Sequence, residues 1–524
     1  MNLREEIKNS VLMSLKILKY EGDFSVKVLR SQKVFLGDYY VNIAIEIGKR
    51  ERVDPMEVAE KIKGKIRGKY FEKIEVLSPG SIHFYISQEC VLGKIEEALK
   101  KGKKFSHFPK KKEKVQVEFI SANPTGPLTV SHGREGVFGD VLGNVFLKYG
   151  FNVKKTYHIN NQGKQMLVLG HSILKDNGAE YGGDYIDKLH KKIKGRDFCV
   201  VGKKGAKIIM QKIIKKTINK LKIKFDEWPL ESILQKDKAV DKVVNLLKKE
   251  GLIYEQEGSE WFMSTALGDE RDRMIVKSNG GRTCLLEDIA YNKYKFEKKK
   301  LDQVINIWGT DHLGSAPGLM AGADAIMRAN KLQVIVLQFV VVVEEGKTVR
   351  MSKAGGEFIV MDDLLKDIPV DVIRFLFLTE PADVRLNFDL DLAKDWSENN
   401  PVFKIKHAYI LISNIFKSPS KILMIRKIKN IKLLNNKKEI ELMKQILKFP
   451  EMIEDIVNDY GIQRIPQYTI DLTNSFYRFY NECYLVNKDK KIKEAHLNLI
   501  AMTKIVLKDV FDLMGISTSE KFKL

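Results

Sequence analysis

Cysteine is scarce in this chain of 524 residues, and Cys90, Cys199, Cys284 and Cys483 stand far apart. Without a Cys-x-x-Cys spacing they indicate neither a zinc site nor a disulfide framework, and they read as buried or incidental thiols. No apolar run approaches the ~20 residues that a membrane-spanning helix needs. The opening Met1-Asn-Leu-Arg-Glu-Glu6 lacks the apolar stretch of a secretion signal, so a cytoplasmic protein with no membrane association is expected. No internal repeat or low-complexity tract stands out. Acidic residues are the minority charge, 68 Asp and Glu against 90 Lys and Arg, which leaves a net charge of +22. Such an excess attracts a polyanion, with nucleic acid the natural candidate. Runs such as Lys110–Lys112 and Lys298–Lys300 also suit ordinary solvated faces.

The chain is too long for one core, and its 44% hydrophobic content supports several. Residues 1–110 mix short strands and helices, with an amphipathic stretch at Val58–Ile66 and a Ser78-Pro-Gly80 turn before Ile82–Ile86. They read as a small α+β domain, and basic residues from Lys100 to Lys114 form a linker. Over 111–395, β-branched runs alternate with helical patterns, as a parallel sheet covered by helices requires. Val304–Trp308 reads as a buried central strand, and Val334–Val343 as a second one ending at the Glu344-Glu-Gly346 turn. Ligands of such sheets bind beyond the carboxyl ends of the strands. Residues 396–524 read as a helical bundle. Leu442, Ile446, Phe449, Ile453 and Ile456 form one stripe, and Leu499, Met502, Val506, Val510 and Leu513 form another.

Three local patterns could carry chemistry. The segment from Glu118 to Arg134 runs from a strand through a Gly/Pro turn into a helix start, where unpaired backbone N–H groups favour an anion, and it adds His132 and Arg134. Trp308-Gly-Thr-Asp311-His312-Leu-Gly314 ends a buried strand in glycines and an Asp-His pair. Arg350-Met-Ser-Lys353-Ala-Gly-Gly356 is a basic loop able to bring an ammonium to a charge cluster. Singly, these suit a helix cap, a local hydrogen bond and a solvated turn. Occurring in this order on an alternating α/β chain, they point together to a phosphate-handling site.

On these residues the chain resembles the class I aminoacyl-tRNA synthetases, specifically the arginyl-tRNA synthetases. Ala122-Asn123-Pro124-Thr125-Gly126-Pro127-Leu128-Thr129-Val130-Ser131-His132 is similar to the family's HIGH region, and Arg350-Met-Ser-Lys-Ala354 to its KMSKS loop. Gly37–Asn42, Tyr157–Gln165, Leu286–Phe296, Asp371–Phe375, Asn387–Asp391 and Glu398–Val402 extend the similarity over nearly the whole chain.

The resemblance implies a Rossmann-like catalytic domain at 111–395, an N-terminal tRNA-contacting domain at 1–110 and an anticodon-binding helical domain at 396–524. It implies ATP-dependent activation of L-arginine and transfer to tRNA(Arg) by a monomer, with Mg2+ carried on the ATP phosphates rather than in a protein site. By the same resemblance His132, Lys353 and Thr129 would act on the phosphates. Gly133, Gly309, Asp311, His312, Val349, Met351 and Ser352 would complete the ATP site. Ser121 and Asn123 would hold the amino acid's backbone groups. Glu118 and Asp288 would face the guanidinium, with Cys284 beside its side chain, because a planar cationic fork pairs with carboxylates. For anticodon bases, Phe403, His407, Tyr409, Phe476, Tyr477 and Tyr480 are available to stack, although most aromatics at helical spacing are core.

This chain also departs from the family pattern. Thr129 and Ser131 replace the first histidine and the glycine of the HIGH motif, and Cys284 replaces a tyrosine. Asn161, Leu313, Ser315, Gly318 and Leu411 differ from the usual residues too. If Thr129 is a lost phosphate donor, Thr129→His should raise turnover. The alternative is a paralogue that binds tRNA or a small ligand without aminoacylating.

Overall fold

The computed structural model describes residues 3–20, 22, 24–31, 36–68, 70–232, 239–327, 331–349, 359–418, 428–487 and 489–518. Met351, Ser352 and Lys353 lie outside the described residues. Contacts divide the chain into two compact units, one of residues 1–105, 415–448 and 474–503, the other of residues 106–414, 449–473 and 504–524.

The first unit holds an antiparallel sheet whose strands run, edge to edge, Leu29–Arg30, Tyr39–Val41, Ser81–Ile86 and Phe71–Leu77. The expected amphipathic helix is Pro55–Lys65: Asp54 caps it by accepting the Met56 N–H at 3.0 Å, and Pro55 stands where a missing N–H costs nothing. It buries Val58, Ala59 and Ile62.

The second unit is built on four parallel strands: β1 (Lys114–Glu118), β2 (Asn152–Thr156), β3 (Gln303–Gly309) and β4 (Leu332–Leu337), in the order β4-β3-β1-β2. β1 is therefore central, with β2 on one side and β3 on the other, so the chain reverses its winding at the carboxyl end of β1. Such a reversal opens a crevice for a ligand. Helix α1 (Val130–Lys148) follows β1 and is buried nearly all round, from Val130 to Phe146. Asp140 on this helix binds Arg374 at 2.5 Å and Lys155 at 2.6 Å, fixing it to elements on two sides. Helix α2 (Cys284–Glu297) precedes β3.

Two runs are divided where the pattern alone shows none. The apolar stretch 334–343 is two strands, β4 and Val340–Glu344, in different sheets. The break falls at Gln338, whose N–H donates to Ala382 O at 2.9 Å and whose carbonyl accepts from Arg134 at 2.7 Å, so its backbone leaves the ladder. The stripe Leu442 to Ile456 is buried throughout, on successive helices Lys437–Leu447 and Phe449–Asp459, with Pro450 in the first turn of the second.

Candidate active site

At the end of β1 the backbone is strained. Ile120 and Ser121 lie at φ +63 and +43, a left-handed conformation that costs about 1–3 kcal/mol per non-glycine residue. The surroundings enforce it: the His158 N–H donates to Ser121 Oγ at 3.0 Å and the Tyr157 hydroxyl to Ala122 O at 2.8 Å. The chain thereby leaves the sheet and enters the turn from Ala122 to Leu128. Tyr185 hydroxyl fastens that turn by donating to Thr125 O at 3.0 Å.

Thr129 caps α1. Its Oγ1 accepts the His132 N–H at 3.3 Å, while the Thr129 N–H donates to His132 Nδ1 at 3.1 Å, a reciprocal capping box. With Nδ1 accepting, the ring proton of neutral His132 is on Nε2. Burial pushes this imidazole below the usual histidine range, against the pull of Asp311, so it is a neutral N–H donor at physiological pH.

In this geometry the Thr129 hydroxyl and N–H both serve the cap. Ser131 is likewise framework, since its Oγ accepts the Val340 N–H at 3.2 Å. Gly133 is a packing position, where a Cβ would fall 2.3 Å from Met361 Sδ. Arg134 is fully buried and gives its guanidinium to the carbonyls of Gln338, Glu380, Pro381 and Val384 at 2.7–3.2 Å, so it offers no charge to an anion.

The segments flanking 350–358 reach the same helix start. Val349 N–H donates to Val342 O at 2.9 Å in the strand that begins at Val340. On the other flank, Val130 N–H donates to Ile359 O at 3.0 Å and Met361 N–H to Leu128 O at 2.8 Å.

A group of acidic side chains gathers where β1 and α2 meet. Cys284, Asp288, Tyr291 and Lys295 are spaced four, three and four residues apart, so they share one face of α2. Burial deepens along it, from exposed Cys284 through half-buried Asp288 to buried Tyr291 and Lys295. At the bottom Lys295 Nζ lies 3.1 Å from Glu118 and donates to Asn306 Oδ1 at 2.9 Å, and Tyr291 hydroxyl donates to Glu118 at 3.0 Å. Glu118 thus already has a cation. Among the described residues Asp288 has no ion-pair partner: burial, with Glu118, Glu231 and Glu287 adding like charge and Lys295 opposing, pushes its carboxyl up to about 7. Burial and Glu287 push Glu231 up to about 7 as well. Burial, then these acids, raises the Cys284 thiol, which excludes a reactive thiolate.

Gly309 ends β3. A side-chain carbon here would stand 2.7 Å from Asp311 Oδ1 and 3.0 Å from Glu135 Oε1, too close for any residue but glycine without moving those carboxyls. His312 Nε2 lies 3.4 Å from Asp311 Oδ2, and both side chains are exposed. Asn123 is half-buried in the turn before Thr129.

Three family sequence models match the chain: "Arginyl tRNA synthetase N terminal domain" over residues 2–86, "tRNA synthetases class I (R), catalytic domain" over 94–191 and 184–369, and "DALR anticodon binding domain" over 405–522. Arginine–tRNA ligase of Caldanaerobacter subterraneus subsp. tengcongensis is 33% identical, the match covering 99% of this chain and 98% of that one. The chain belongs to the arginyl-tRNA synthetase family. The ligase of that name from Carboxydothermus hydrogenoformans is 31% identical over 96% of this chain and 95% of its own. In fold, Thermus thermophilus arginyl-tRNA synthetase superposes with a TM-score of 0.78 over 99% of this chain and all of its own, at 18% identity.

Within this member of the arginyl-tRNA synthetase family, the structure gathers Ser121, Thr129 and His132 around one turn, and Cys284 and Asp288 on one helix face near Glu118. It also adds groups that the sequence motifs do not single out. Glu231 and Lys295 reach the pocket from segments 57 and 7 residues away from Asp288. His158, inside the recognised Tyr157–Gln165 stretch, stacks on Tyr291 at 4.2 Å, and burial pushes it down to about 4. The helical stripe of α2 was the available signal for Lys295; no local pattern marks Glu231.

Proposed function

We propose that the chain is an arginine–tRNA ligase: it joins L-arginine to ATP as arginyl-adenylate and passes the arginyl group to the 3′-terminal adenosine of tRNA(Arg). The observation that carries this is the group of acids Asp288, Glu231 and Glu287. Burial raises all three carboxyls, with Lys295 opposing at Asp288 and Arg282 at Glu287, and a guanidinium, which cannot shed its charge, would give them a further cation. Lys295 neutralises Glu118, so Glu118 shapes the pocket floor while Asp288 and Glu231 take the guanidinium.

An arginine carboxylate oxygen then bonds to the α-phosphorus as the bond to the bridging oxygen breaks and pyrophosphate leaves. In the second step a ribose hydroxyl of the tRNA attacks the carbonyl carbon and AMP leaves. Such displacements ask for positioning and for donors aimed at developing charge. Neutral His132 offers Nε2–H, and Lys353 would add a cation beside it. Magnesium would arrive on ATP and offset phosphate charge. Ser121 and Asn123, on the strained turn, would orient the arginine backbone groups, and Gly309, Asp311, His312, Val349, Met351 and Ser352 would border ATP.

A cavity of about 410 Å³ beside Pro124 and Asn161 carries Lys203 and Lys207, and these suit the phosphates of an entering tRNA end. Residues 396–524 would read the anticodon. Translation in the cytoplasm, as a monomer, completes the reading; no described helix is long and apolar enough to cross a membrane. No observation favours the paralogue without activity, because Thr129 has a defined place in the cap and Ser131 accepts the Val340 N–H. Transfer of labelled arginine to tRNA(Arg) tests the proposal, and absence of charging above a no-enzyme control would refute it.

A further inference from the structure

Thr217 makes a polar contact that its own helix does not require. It stands on Lys215–Lys220, the end of a run of helix that starts at Phe198 and carries a π turn at Met210–Ile214. A π turn takes in one more residue than an α turn, so each side chain after it is rotated by about 100° around the axis. Beyond that turn Thr217 is fully buried, and its hydroxyl donates to Asp362 Oδ2 at 2.5 Å, with Ile213 O a second acceptor at 3.2 Å. A helical threonine commonly bonds back to the carbonyl four residues before it. The carboxylate, 145 residues away in the chain, is the contact that calls for an explanation. Lys220 Nζ binds the other oxygen, Asp362 Oδ1.

Asp362 leads on to the start of α1. Its neighbour Met361 is buried, donates its N–H to Leu128 O at 2.8 Å, and sets Sδ against Gly133, 2.3 Å from where a Cβ would stand. Leu128 and Gly133 flank Thr129 and His132, whose capping box fixes the imidazole. We propose that Thr217 is a positioning residue for arginine activation: its bond to Asp362 seats Met361 against the Leu128–Gly133 segment and so holds the His132 ring in place. This rests on the reading that His132 acts on the phosphates of ATP. Lys220 is 43% exposed and holds the same carboxylate from the solvent side, where salt screens it, so the buried hydroxyl carries the constraint. Packed side chains pass such a constraint on because a close-packed interior gives little when one contact is removed.

The test compares wild type, Thr217→Ser, Thr217→Val, Asp362→Ala and the Thr217→Val, Asp362→Ala double variant in full-length protein. The readouts are arginine-dependent pyrophosphate exchange, calorimetric binding of arginine, and the ring signals of isotope-labelled histidine, with His132 assigned by the loss of its signal in His132→Asn. Thr217→Val keeps the side chain's shape and removes the donor; it should lower kcat about tenfold, leave Kd for arginine within about twofold and shift the His132 signal. Thr217→Ser, which keeps the hydroxyl, should hold kcat within about twofold of wild type and leave the signal in place. The double variant should be no worse than Asp362→Ala, because both changes act through one contact. A Val variant with wild-type kcat, a Ser variant as impaired as Val, arginine binding weakened as much as kcat, an unmoved His132 signal, or losses that multiply in the double variant would overturn the proposal. If wild type shows no exchange while Thr217→Val still moves the His132 signal, the positioning contact stands and the ligase reading fails. If there is neither exchange nor a moved signal, both fail.

Discussion

Thr129 Oγ1 and His132 Nδ1 lie 3.0 Å apart, and the backbone N–H of each residue also donates to the other's side chain. The pair starts α1 and fixes which nitrogen of His132 can face a phosphate. Thr129→Ala should lose a cap worth about 0.5–2 kcal/mol and lower kcat, because His132 keeps the backbone N–H of residue 129 but loses the hydroxyl that helps to fix its ring. Thr129→His, expected from the motif to raise turnover, should instead lower it, since a bulky imidazole cannot accept the His132 N–H in the same way. Steady-state pyrophosphate exchange checks both; a higher kcat for Thr129→His would show that the cap is dispensable.

The ion pair of Glu118 and Lys295 is almost wholly buried. Removing one partner of such a pair leaves the other charge unpaired and costs about 3–5 kcal/mol. Lys295→Met should therefore lower the thermal midpoint by several degrees and raise KM for arginine, while Lys295→Met combined with Glu118→Gln should recover much of the stability. Equal midpoints for wild type and Lys295→Met would contradict the assigned pair.

Binding of arginine should expel protons. Asp288 and Glu231, both pushed up to about 7 in the free protein, must ionise to meet the guanidinium. KM for arginine should fall as pH rises from about 6 to 8, and calorimetry near pH 6.5 in buffers of different ionisation enthalpy should show net proton release. Stability runs the other way. Between about pH 4 and 7 the folded, unliganded chain holds protons that the unfolded chain has released, so stability declines as pH rises through that window. Arginine should offset the decline.

Glu231→Gln would remove one charged partner from the proposed guanidinium site, a contact worth about 1.5–3 kcal/mol, and should raise KM for arginine roughly 10- to 100-fold with a smaller change in kcat. An unchanged KM would leave Asp288 alone as the ligand.

Much of the fold is legible in local pattern. The β-branched run at Val304–Trp308 and the stripe from Leu499 to Leu513 follow from periods of buried strand and helix, which need no distant partner. The division of 334–343 was not legible, because it depends on Arg134 capturing Gln338 O across more than two hundred residues of chain. The site divides in the same way. Glu118 and Asp288 are marked by motif, but whether each is free to bind a cation depends on Lys295 and Glu231, which only the folded chain brings near. Motif comparison makes Thr129 a deficit, while its cap geometry gives it a task.

The most direct measurement is ATP–pyrophosphate exchange by the full-length protein with tRNA(Arg), run separately with arginine, lysine, citrulline and no amino acid. Exchange should require arginine, fall to background with uncharged citrulline, and stay near background with lysine, whose ammonium cannot bridge two carboxylates in a planar fork. No exchange with arginine, or equal exchange with citrulline, would contradict an acidic pocket that selects a guanidinium for activation.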